Sequence, residues 1–181
     1  FEKLNEEPPA VVKKKAPAFT GFNTRQLWVS RVVASQHSEG RVYASLNGYR
    51  FDDFGAYLYV SDDYGKKWNS ISRDLPMEPI NVVREDPTNP DILYVGTDGG
   101  VYVSFDRGKS FMAWRSGLPK SVPVHDIAIQ ARDNEIVLGT HGRSLYVAKL
   151  EDVQKLKQDP DWMKKKPAPK KEKRNNWEEE D

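Results

Sequence analysis

The segment Asn47-Gly48-Tyr49-Arg50-Phe51-Asp52-Asp53-Phe54-Gly55 gathers three aromatic rings, a guanidinium and two carboxylates into nine residues. Tyr49, Phe51 and Phe54 offer flat faces that stack on a sugar ring or anchor a peptide. Arg50, Asp52 and Asp53 supply hydrogen bonds to hydroxyls or amides. Asp98, His125, His141 and Arg143 fall in turns that the strand pattern brings to the same side, and they complete the set of ligand-binding candidates. The competing expectation is a self-packed loop with Arg50 paired to an aspartate, and a plain hairpin whose Arg143 packs toward a central channel. Glycoside hydrolysis needs two carboxylates facing each other across the sugar, roughly 5 to 9.5 Å apart. Asp52, Asp53, Asp98 and Asp126 are available for that work, but their spacing sets no mutual geometry, so no catalytic residue is assigned. His37, His125 and His141 are the only histidines and cysteine is absent, so no metal or cofactor is expected.

The elements that must hold these residues announce themselves as a repeat. Ser61-Asp62-Asp63-Tyr64-Gly65-Lys66-Lys67-Trp68 recurs 43 residues later as Ser104-Phe105-Asp106-Arg107-Gly108-Lys109-Ser110-Phe111. Tyr59-Val60 and Tyr102-Val103 keep that spacing, as do Leu75-Pro76 and Leu118-Pro119, and Gly96-Thr97 returns as Gly139-Thr140. Each period holds short Val-, Ile- and Tyr-rich runs separated by turn signals. The expected strands are 28–34, 41–46, 56–61 and 67–71, then 80–84, 92–97, 101–105 and 111–115, then 125–130, 135–139 and 144–149 with no fourth. Four short antiparallel strands per period match one blade of a β-propeller. The fold class read from the sequence is therefore all-β: about three four-stranded blades (24–76, 77–119 and 120–150) forming an incomplete propeller arc with disordered tails.

The octapeptide has a mechanical reading. Asp63 and Asp106 accept backbone N–H groups of their own turns, with Ser61 and Ser104 beside them. Gly65 and Gly108 supply positive φ, and Trp68 and Phe111 pack beneath the hairpin. The two octapeptides resemble Asp-boxes, the BNR repeats of sialidases, sortilin-type propellers, xyloglucanase-like glycosidases and photosystem II assembly factors. Across about 24–150 the chain is most similar to bacterial proteins described as sortilin-like or glycosyl-hydrolase-like BNR propellers, through Arg25–Ser35, Asn47–Trp68 and Gly139–Val147. The resemblance implies export and a propeller larger than this chain. Its enzymatic members are not matched at their catalytic motifs. Arg31, Arg84 and Arg143 occupy non-equivalent strand positions, which speaks against a sialidase-type arginine cluster.

Composition bounds the partners. With 181 residues and a formal net charge of +1, no whole-chain field favours nucleic acid, and no apolar run reaches a membrane span. Residues 164–174 hold seven basic side chains and the chain ends in four acidic ones, so 160–181 reads as a solvated tail after a short helix near 151–158. Residues 1–23 read as an extended Pro- and Lys-rich connection, with Phe1–Leu4 a remnant of an earlier blade. Three blades are fewer than the four to eight that close a propeller, so further blades of a parent protein are expected partners. The functional expectation is a non-catalytic surface for a protein, peptide or carbohydrate ligand. The alternative is a portion of a glycoside hydrolase completed by other blades.

Overall fold

A computed structural model describes residues 27–157. Eleven strands form three antiparallel sheets. β1 (Trp28–Ala34), β2 (Val42–Gly48), β3 (Asp53–Ser61) and β4 (Asn69–Ser70) make the first; β5 (Ile80–Glu85), β6 (Leu93–Thr97), β7 (Val101–Ser104) and β8 (Met112–Trp114) make the second. β9 (Val124–Gln130), β10 (Glu135–Thr140) and β11 (Leu145–Lys149) make a three-stranded third, followed by helix α1 (Leu150–Lys155). Within each sheet the strands pair in sequence order, as a meander, which is the construction of a propeller blade. The Phe1–Leu4 remnant, the 1–23 connection and the 160–181 tail lie outside the described residues.

Aliphatic residues at alternate strand positions pack the blades face to face. Tyr43 and Leu58 of the first blade meet Ile80, Val83, Leu93 and Val95 of the second. Val82, Tyr94, Val101 and Val103 on the second blade's other side meet Val124, Ile127, Ile136 and Leu138 of the third. Each such side chain contributes about 1.5–3 kcal/mol by leaving water. Leu150 and Val153 of α1, with Leu156 just beyond it, join the second of these cores.

The outer strands and the first blade's β2–β3 hairpin differ from expectation. The outer strands are shorter than 67–71 and 111–115, spanning only Asn69–Ser70 and Met112–Trp114. Trp68 explains the first, because its ring is buried against Ala44, Leu46 and Tyr59 and the backbone joins the ladder only beyond it. The segment 47–55 is also less of a loop than its composition suggests. β2 runs on to Gly48, β3 begins at Asp53 opposite it, and a single 3-10 turn, Tyr49–Phe51, closes the hairpin.

The octapeptides cap the far ends of β3 and β7. Ser61 Oγ donates to Asp63 Oδ1 (2.9 Å) and accepts from Gly65 N (2.9 Å), while Asp63 Oδ1 also takes Lys67 N (2.8 Å). Ser104, Asp106, Gly108 and Ser110 repeat the set at 2.8, 2.7 and 2.9 Å. Gly65 and Gly108 sit at φ +85° and +82°, and a Cβ on Gly108 would also lie 2.7 Å from Ile71 Cδ1. Phe111 packs half-buried against the core between the first and second blades.

Candidate functional site

At the opposite strand ends the three blades surround an open cleft of about 520 Å³, lined by Trp28, Asn47, Tyr49, Arg50, Asn81, Asp98, Pro123, His125 and His141. The inner strands position its floor through a shared irregularity. Ladder register skips one residue in each: Ser30 in β1, Asn81 in β5 and His125 in β9. A bulge at that point re-aims a side chain out of the sheet's alternation. Asn81 and His125 thereby reach the cleft.

The first blade supplies the aromatic wall. Trp28 is 53% exposed and Tyr49 58%, both far above the burial usual for such rings. Arg50 lies over the Trp28 ring with Cζ 4.8 Å from its centroid, and Tyr49 meets Phe54 edge-on at 5.9 Å. The Tyr49–Phe51 turn is fixed by Asn47 Oδ1, which accepts Tyr49 N at 2.8 Å, and by Asp52 in the left-handed region at φ 57°. The second blade contributes Asp98, whose Oδ1 accepts Asn81 Nδ2 at 2.8 Å. On the third blade the His125 and His141 rings stand 5.3 Å apart, with His141 N bonded to Pro123 O at 3.0 Å.

Five of the nine ligand-binding candidates thus line one cleft: Tyr49, Arg50, Asp98, His125 and His141. Four do not. Asp53 is buried, accepting Gly55 N at 2.9 Å and Tyr57 Oη at 2.8 Å, so its carboxylate holds the hairpin together. That contact and burial raise the Tyr57 hydroxyl pKa well above its ordinary value, burial contributing most. Asp52 turns the chain, Phe51 is exposed outside the cleft, and Arg143 is exposed at the β10–β11 turn rather than packed toward a channel. Arg50 rests on Trp28, and no ion pair to an aspartate joins it among the described residues.

Trp28 and Asn81 escaped sequence reasoning because both belong to regular strands, and the bulge that exposes Asn81 leaves no residue-type signature. Asn47 and Pro123 lay in the right loops without a chemical flag. Arg31 and Arg84 occupy different registers, yet both reach Asp126 Oδ1, at 2.9 and 3.3 Å. Burial and the neighbouring Arg31 charge lower the Arg84 pKa, and Asp126 offsets part of this. Asp126 therefore ties three inner strands together and is not among the residues lining the cleft. No group of three or more His, Asp or Glu side chains among the described residues has metal-binding geometry.

Repeated four-stranded meanders, face-to-face blade packing and a cleft where inner-strand ends converge define a β-propeller segment. The fold is shared with solved glycoside hydrolases of the GH74 class. An ancestral GH74 enzyme is 22% identical, with a TM-score of 0.52 over 64% of this chain and 14% of that one. The GH74 enzyme of Niastella koreensis is 16% identical, with a TM-score of 0.53 over 67% of this chain and 21% of that one. The chain therefore spans only a small part of the length of these structures. A search of the curated proteins finds no match. The Sortilin-Vps10 profile, described as sortilin, neurotensin receptor 3, matches residues 56–159, more than half the chain. The chain belongs to the Sortilin-Vps10 family. No described helix is long and apolar enough to cross a membrane.

Proposed function

We propose that this chain is a non-catalytic binding segment of a larger exported propeller protein, with the three-blade cleft as its ligand surface for a protein, peptide or glycan. The observation that carries the reading is the chemistry of the lining: two exposed aromatic rings, an arginine and two histidines surround a single carboxylate, Asp98, already held by Asn81. Such a surface binds by stacking and hydrogen bonding. Glycoside hydrolysis asks for a second carboxylate facing the first, but Asp53 is spent inside its own hairpin and Asp126 is paired with Arg31 and Arg84.

The second reading is a glycoside hydrolase whose other carboxylate comes from a further blade. Asp98, placed in a cleft with aromatic walls, favours it.

Binding to glycan and peptide arrays, followed by titration of the best ligand, tests the proposal. Trp28→Ala and Tyr49→Ala should each weaken that ligand about tenfold or more, consistent with loss of an aromatic anchor. Asp98→Asn should leave the ligand chemically unchanged over a long incubation, as should the wild type. Glycan turnover that disappears in Asp98→Asn would replace the binding proposal with the hydrolase.

A further inference from the structure

Two imidazoles far apart in the sequence meet on the third blade. His125 is the residue that the β9–β10 ladder skips, between Asp126 paired with Gly139 and Val124 paired with Thr140. His141 follows the end of β10 and is anchored through its own N–H to Pro123 O at 3.0 Å. Both side chains are exposed in the cleft, with ring centroids 5.3 Å apart and planes inclined by 37°. Adjacent hydrogen-bonded backbones hold the pair, so using the rings together costs little further ordering.

Their nitrogens are uncommitted. His37, the third histidine, spends Nε2 on Asp86 O at 2.7 Å. Among the described residues no hydrogen bond reaches a ring nitrogen of His125 or His141. Neutral imidazole is a ligand for zinc, copper and nickel. With metal–nitrogen bonds of about 2.05 Å and roughly 1.15 Å from nitrogen to ring centre, two imidazoles at the tetrahedral angle have centroids about 5.2 Å apart. At the right angle of square-planar copper the separation falls to about 4.5 Å. The observed 5.3 Å fits the tetrahedral case. Rotation of the exposed side chains is enough to aim one nitrogen of each ring at a shared point. Asp98 lines the same cleft and favours a cation there, while Arg50, the one permanent cation of the lining, rests on the Trp28 ring.

We propose that His125 and His141 chelate a zinc-class divalent ion in the cleft, as a two-histidine site. Sequence spacing gave no sign of it, because only the strand ladder brings the rings together. Among the described residues no third His, Asp or Glu completes a larger set. Two tetrahedral positions therefore stay open for water or for a donor atom of a ligand. No carboxylate or carbonyl fixes which nitrogen faces the ion, so binding is reversible and weaker than in a four-donor structural site. The site stands apart from the ligand-binding reading, since it needs only the two imidazoles.

Isothermal titration of zinc chloride into the metal-stripped 181-residue chain, free of any histidine tag, tests this. One ion per chain is expected. His125→Ala and His141→Ala should each weaken it at least about tenfold, while His37→Ala leaves it unchanged. Both cleft rings are exposed, so these variants should keep the wild-type Tm, and His125→Asn and His141→Asn provide a second pair. Cobalt(II) gives a readout independent of affinity, because a four-coordinate ion absorbs visible light strongly and a six-coordinate ion weakly. The wild-type chain should show the strong bands, and His141→Ala should lose them. Absence of zinc binding overturns the proposal. Binding that both alanine variants retain also overturns it, as an adventitious ion held elsewhere on the chain. Weak six-coordinate cobalt bands would overturn the tetrahedral assignment. These titrations contain no ligand, so their failure leaves the binding proposal standing.

Discussion

The two rims of this molecule handle their polar groups in opposite ways. On the octapeptide rim, Ser61 with Asp63 and Ser104 with Asp106 satisfy the backbone of their own turns, and the aromatic that follows packs inward. On the cleft rim, aromatic faces and ring nitrogens stand toward solvent, and loop length differs between blades. The first blade spends Tyr49–Asp52 where the second turns through Asp98–Gly100. Internal satisfaction makes a part that can be copied from blade to blade. A solvent-facing, blade-specific surface is what remains available for a ligand.

Trp68→Ala should break the packed rim most severely. Its ring fills the cluster of Ala44, Leu46 and Tyr59, so loss of about 3–5 kcal/mol is expected in chemical denaturation. Ser104→Ala comes next. It removes the acceptor of the buried Gly108 N–H, at a cost of about 1–3 kcal/mol. Arg50→Ala on the cleft rim should cost within about 1 kcal/mol, the size of one exposed cation–π contact, while weakening ligand binding severalfold. A comparable stability loss on both rims would erase the distinction.

The smallest effect is electrostatic. At Asp106 burial acts to raise the carboxyl pKa, but hydrogen bonds from Ser110 and Ser104 prevail and the pKa is lowered. A carboxylate whose folded pKa lies below the unfolded value of about 3.9 stabilises the fold above that pH. The contribution is lost as pH falls through the folded pKa. Asp106→Asn should therefore flatten the acid limb of stability measured below about pH 4 and leave the neutral region's slope unchanged.

The fold was legible because its signals are local. Ser-x-Asp-x-Gly specifies a turn through bonds spanning two to four residues, and Val-, Ile- and Tyr-rich alternation specifies a half-buried strand. Outer strands were overextended because propensity marks which residues can pair and leaves open how far pairing runs. The cleft was half legible. Tyr49 and Arg50 were visible as an unusual cluster, whereas Asp53 beside them faces its own hairpin. Strand alternation after a hairpin turn decides that, and the turn's closure at Gly48–Asp53 is a property of register.

By itself, then, the sequence determined the repeating blade, its far-rim turns and the family, since each rests on contacts within a few residues or on a period of about 43. Only the tertiary structure decided which side chains meet. Bulges at Asn81 and His125 turned strand residues into cleft lining, and Arg31 and Arg84 from unlike registers converged on one carboxylate. Blade stacking left Leu145 uncovered while burying Val101 at the same place in the repeat. The physical reason is that exposure and convergence depend on how blades are stacked, a separation of tens of residues that no local pattern encodes.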